Sequence, residues 1–190
     1  MKPVGYLFSK TEGLEGEPGV FYDYIFARNG VFISAQNPLI KGVVCISPVE
    51  VRGLAAMEEK AELVHGKIPE YLYDLSLSTL ATNSEREQYL AVTWENGYRL
   101  RIPTQEREAA QVRYERLPSS VMDIHSHGRG KAWFSLVDDG DEQGLRLYMV
   151  VGRLDTYLPE VELRLGVYGH FAPLSIEKVF DVSTLQRFYQ

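Results

Sequence analysis

Cysteine is nearly missing from this chain. Of 190 residues only Cys45 carries a thiol, so no internal disulfide can form. The usage fits a reducing compartment, and Cys45 reads as a small buried apolar residue on a strand. Long apolar runs are missing too. No stretch of about 18 apolar residues exists to cross a membrane, and the opening MKPVGYLFSK lacks the apolar segment of a signal peptide. The expectation is a cytoplasmic protein with no membrane partner. Basic excess is also lacking: 20 Lys and Arg stand against 26 Asp and Glu, for a formal charge of −6. A broad nucleic-acid face needs clustered Lys and Arg, so that class is disfavoured. There is no internal repeat and no low-complexity tract.

What is present is ordinary globular material. The hydrophobic fraction is 45 % and the charged fraction 24 %, as in soluble domains, and the length suits one domain with an extension. Residues 1–54 read as β. The aromatic and β-branched run 20–27, the dipeptide Asn29-Gly30 and the run 31–34 give a hairpin signal. A further short strand covers 42–46. Residues 54–67 are mixed and charged, either a short helix or a loop. A helix follows, with Pro69 suited to its first position and Tyr71, Leu72, Leu75 and Leu80 near one-turn spacings, ending at Thr82-Asn83-Ser84. Strands are expected at 89–94 and 98–102 around the turn Glu95-Asn96-Gly97, then at 121–124, 145–151 and 161–168. A sheet with one or two helices against it makes the class α+β. The division expected is an N-terminal β-rich extension (1–54), a connecting segment (55–67) and a core (68–190).

The chemistry concentrates in DIHSHGRGKAWFSLVDDGDE, residues 123–142. His125 and His127 stand at i and i+2 on a strand end, which points both imidazoles to one face. Asp138 follows eleven residues later, and Ser135, three residues before it, suits a helix N-cap with an acid in the first turn. Three protein ligands with a position left for water describe a catalytic zinc site. The acidic run 138–142 lacks the offsets of a calcium loop. His170 reads as structural, His65 as a loop surface residue, and Trp94, Trp133 and Phe134 as core, the last two also placed to line a groove beside the metal.

The pattern His125-Ser126-His127, seven residues, Ser135, two residues, Asp138 resembles the signature of the JAMM/MPN metalloproteases. The stretch 84–181 is most similar to the PRTRC-system, prokaryotic JAB-type branch of that family. One departure is Gly128, where the family often has Pro. The N-terminal 54 residues match no family by motif. The resemblance implies an α/β sandwich around a curved mixed sheet flanked by helices. It also implies Zn²⁺ on His125, His127 and Asp138, a serine (here Ser135) that steadies the reaction's intermediate, and a general-base glutamate just before an earlier strand. Glu87 is the favoured base, then Glu85, with Glu50 a distant third. The implied function is zinc-dependent hydrolysis of peptide or isopeptide bonds. The implied partners are a peptide or ubiquitin-like substrate and other proteins of the same gene system. The alternatives are a non-catalytic scaffold of the same fold and a zinc hydrolase of a small amide.

Overall fold

In the computed structural model, residues 2–103, 105–108, 111–114, 117 and 119–182 are described; the end of the expected core, 183–190, lies outside them. The chain opens with five strands, β1 (Val4–Lys10), β2 (Gly13–Glu17), β3 (Tyr22–Ala27), β4 (Gly30–Gln36) and β5 (Ile40–Ser47). There follow β6 (Lys60–Leu63), β7 (Ile68–Pro69), α1 (Glu70–Ala81), β8 (Tyr89–Trp94), β9 (Tyr98–Arg101), β10 (Gln105–Glu108) and β11 (Gln111–Tyr114). The remainder is β12 (Ser120–Ser126), α2 (Leu136–Asp141), β13 (Leu145–Gly152), β14 (Glu160–Val167), β15 (His170–Pro173), α3 (Ile176–Val179) and β16 (Phe180–Asp181). The protein is therefore mixed α and β, and mostly sheet. Among the described residues, no helix is long and apolar enough to cross a membrane.

Two six-stranded mixed sheets dominate. The first has the order β2-β1-β3-β4-β5-β6, with β1 and β3 parallel. The second has the order β15-β14-β13-β12-β8-β9, with β12 and β13 parallel. The segment 54–67, expected as helix or loop, instead supplies β6, antiparallel to β5. The alternation of Lys60 and Glu62 with Ala61 and Leu63 suits a sheet edge better than a helix face. The β3–β4 turn falls on Arg28 and Asn29, since Ala27 pairs directly with Gly30.

The sheets share one apolar core. Ile33, Ala35, Ile40 and Val44 of the first meet Leu90, Ile124, Met149, Leu163 and Leu165 of the second. The approach is close at Gly42, where a Cβ would lie 2.9 Å from Leu145 Cδ1. Helix α1 closes the same core with Leu72, Tyr73 and Leu80. Tyr71 and Leu75 are exposed, and the buried stripe is Leu72, Ser76 and Leu80. Ser76 can be buried because its Oγ donates to the Leu72 carbonyl at 2.7 Å. Cys45 is half-buried on β5 against a smaller cluster of Leu7, Ile25, Ala27 and Phe32.

The second sheet is two-faced, and that positions everything that follows. Its core face carries Leu90, Met122, Ile124, Leu147, Met149, Val151, Leu163 and Leu165. Alternation then puts Tyr89, Asp123, His125, Arg146, Tyr148 and Arg164 on the opposite face, side by side through the β8–β12–β13–β14 register. The parallel β12–β13 pair requires a crossover, which runs through 127–144 and lays α2 over this polar face. Buried charges there are paired: Asp123 accepts from Arg146 at 2.6 Å and from Ser120 Oγ at 2.7 Å.

Candidate metal centre

Strand β12 ends at Ser126, and its last turnings deliver the two histidines. Gln88, just ahead of β8, holds Ser126 twice: its carbonyl accepts from Ser126 N at 2.9 Å and its N–H donates to Ser126 Oγ at 3.1 Å. Ser126 is thus buried on the core side, leaving His125 and His127 on the polar face. The loop that leaves the strand is then tied to the end of β13. His127 N donates to the Val151 carbonyl, Leu154 N to that of Gly128 and Arg153 N to that of Gly130, at 2.9, 2.9 and 2.6 Å. Gly152 permits this close approach, because a Cβ there would lie 2.3 Å from Ala132 N.

Gly128, the departure from the family pattern, has a physical reason. Its φ is +56°, a value proline's ring forbids, and a Cβ would come 2.5 Å from the Ser84 carbonyl oxygen. The segment before β8 and the loop after His127 therefore touch backbone to backbone. Across the same seam Arg129 forms an ion pair with Glu85.

Asp138 arrives from α2. Ser135 is the helix N-cap, as its spacing predicts: its Oγ accepts from Asp138 N at 3.2 Å, and Asp138 Oδ2 accepts from Ser135 N at 2.6 Å. This reciprocal box spends one carboxylate oxygen on the backbone and aims the other outward. Asp138 Oδ1 stands 3.4 Å from His125 Nε2. The Ser135 hydroxyl, having accepted the Asp138 amide, still has its own proton to donate.

His125, His127 and Asp138 each offer one ligand atom, and these all lie within 4.8 Å of one another. Two ligands of a tetrahedral zinc with bonds of about 2.0–2.1 Å are about 3.3 Å apart, close to the separation of His125 Nε2 and Asp138 Oδ1. The donor chemistry also fits. His125 Nε2 is buried yet makes no hydrogen bond, despite its closeness to Asp138, and such an orphaned atom is costly unless something binds it. Burial pushes the His125 pKa down to about 4, with Asp138 opposing, so the ring is neutral at pH 7. His127 Nδ1 lies 3.1 Å from the Lys131 carbonyl. That contact places the ring proton on Nδ1 and leaves Nε2 as the free ligand atom. The residues present therefore fit a divalent metal ion with nitrogen and oxygen ligands.

The other expected residues take distinct places. Glu87 is exposed and precedes Gln88, where the β8–β12 register continues toward His127; it is outside the ligand cluster. Glu85 is engaged by Arg129. Glu50 lies beyond β5, in a pocket lined with Arg28, Asn29, Pro48 and Val49. Trp133 is exposed and Phe134 half-buried; their rings stand 6.0 and 6.3 Å from those of His127 and His125. His65 is a surface residue but stacks on Trp94 at 3.9 Å.

The sequence reading missed the group beneath α2. Arg164 lies between the rings of Phe134 and Phe171, 3.8 and 3.7 Å from their centroids. Its Nη1 donates to Asp139 at 2.7 Å, while Nε and Nη2 donate to Glu142 at 2.8 and 2.6 Å. Burial drives the Glu142 carboxyl up to about 8 against the opposing pull of this guanidinium. A signal was available in two Leu-Arg-Leu triplets, 145–147 and 163–165, since a charge between two core leucines marks the far face of a strand. Comparison with known proteins returns no matching family model, no matching curated protein and no matching solved structure.

Proposed function

We propose that this chain is a zinc-dependent hydrolase of peptide or isopeptide bonds, of the JAMM type. The observation that carries the reading is the cluster of His125, His127 and Asp138 at the end of β12, with His125 Nε2 buried and without a hydrogen-bond partner. The motif spacing supports the family, and so does a mixed sheet whose β12–α2–β13 crossover builds the site. A zinc ion held there would polarise a carbonyl and lower the pKa of a water toward about 7.

The chain's own residues divide the remaining work. Glu87 is the base: it takes a proton from the attacking water and returns it to the leaving amine. It is preferred over Glu85, whose carboxylate is turned to Arg129. Ser135 fixes Asp138 through the capping box and offers its hydroxyl proton to the oxygen that gains charge. Trp133, Leu136 and Val137, exposed by 57, 88 and 60 %, form an apolar rim beside the site. A rim of this kind favours an extended peptide over a small amide. The test is hydrolysis of ubiquitin-like fusions and of a peptide library with added zinc. Cleavage that a chelator abolishes and zinc restores supports the reading, and inactivity of fully zinc-loaded protein on both substrate sets counts against it.

A further inference from the structure

Helix α2 carries a ligand but has no apolar anchor. None of its residues is buried, and Leu136 and Val137 point into solvent. Six residues of helix are far too few to be stable alone. Something other than hydrophobic burial must hold the helix on the sheet, and with it the carboxylate of Asp138.

We propose that Arg164 is that holding element, a positioning residue that sets Asp138 by clamping α2 to the polar face of the second sheet. This rests on the metal-site reading above. Arg164 is only 8 % exposed and stands on β14, directly opposite Tyr148 of β13. Its stem comes from the rigid sheet and its guanidinium is flattened between Phe134, immediately before the N-cap Ser135, and Phe171 of β15. The planar fork then reaches the middle and the C-terminal end of the helix: Asp139, next to the ligand, and Glu142, the C-cap. Charge-assisted contacts of this geometry are strong and directional. A lysine has no plane to stack twice, and its three donors sit on one point rather than spread across a rigid fork. The capping box between Ser135 and Asp138 lies wholly within the helix start, so it shapes the ligand without attaching it to the sheet. Arg164 reaches the helix from the sheet.

The clamp explains a short, polar, solvent-facing helix at a site that needs sub-ångström placement. It also predicts that groups far from the ligand atoms control metal affinity. The scale for residues that orient ligands from behind is 10–100-fold.

The experiment measures zinc affinity by chelator competition for wild type, Arg164→Lys, Glu142→Gln and Asp139→Asn. Hydrogen exchange at the Asp139 and Glu142 amides, which bond to the Ser135 and Asp138 carbonyls, is followed in the zinc-free proteins. The expected result is a 10-fold or greater loss of affinity in Arg164→Lys and smaller losses in the other two. Exchange at both amides should accelerate, while the amides of β12 and β13 stay protected. Should Arg164→Lys fold poorly, Asp139→Asn decides, because it removes the charge of an acceptor on the helix side and leaves the sheet intact. Affinities within twofold of wild type, with unchanged exchange, overturn the clamp. If wild type itself binds no zinc, the metal reading fails, and exchange at the two amides still decides whether Arg164 holds the helix.

Discussion

Replacing Gly128 by alanine separates two costs that the fold imposes at one position. The first is conformational: at φ +56° an L-residue pays about 1–2 kcal/mol. The second is steric, because the new Cβ would stand 2.5 Å from the Ser84 carbonyl oxygen. That neighbour is backbone and cannot swing aside. Ser84 leads through Glu87 into the Gln88–Ser126 pairing, and Gly128 directly follows His127, so relief on either side disturbs the site. The combined cost should be about 2–4 kcal/mol, the range of single changes with a named structural cause. Gly53→Ala supplies the control, since Gly53 has φ +79° but nothing within 4 Å of its Cβ position. Urea denaturation of zinc-free protein should show Gly53→Ala losing about 1 kcal/mol and Gly128→Ala clearly more, with an unchanged slope. Zinc affinity should also fall in Gly128→Ala alone. Equal losses in the two variants would refute the close backbone approach.

Two further outcomes follow from the site. Glu87→Gln should keep its zinc and lose about 10²-fold or more in turnover; full activity there with a dead Glu85→Gln would move the base to Glu85. The pH dependence follows from His125, whose pKa falls from 6.5 to about 4 on folding, chiefly by burial. The unfolded chain binds that proton first, so this stability is complete above pH about 6.5 and is lost as pH falls toward about 4. The loss is on the order of 3 kcal/mol. In chelator, a His125→Asn variant should lack this part of the acid sensitivity, and identical profiles for the two proteins would contradict it.

The candidate ligands were legible because their signal is local. A strand's two-residue period fixes His125 and His127 on one face, and Ser135 and Asp138 satisfy a cap at a fixed offset. Helix α1 was legible for the same reason, although the sequence could not show which side of Tyr71, Leu72 and Leu75 would be buried. That choice depends on what packs against the helix, here the core shared by both sheets. Strand β6 was missed because four residues with two charges carry no clear period until β5 offers an edge. Arg164 was missed because its meaning is entirely tertiary: its partners come from two other segments, 134–142 around α2 and Phe171 of β15. The role of Gly128 likewise needs Ser84, which lies 44 residues earlier and meets it only through the β8–β12 pairing.

Metal content measures most directly whether His125, His127 and Asp138 hold one metal ion. Protein purified without chelator, then stripped and reloaded with zinc, should bind about one equivalent per chain by elemental analysis. His125→Ala and Asp138→Asn should each lose most of that binding while retaining the fold. Wild type that takes up no zinc under saturating conditions, or a His125→Ala variant that binds it as tightly as wild type, would contradict the account.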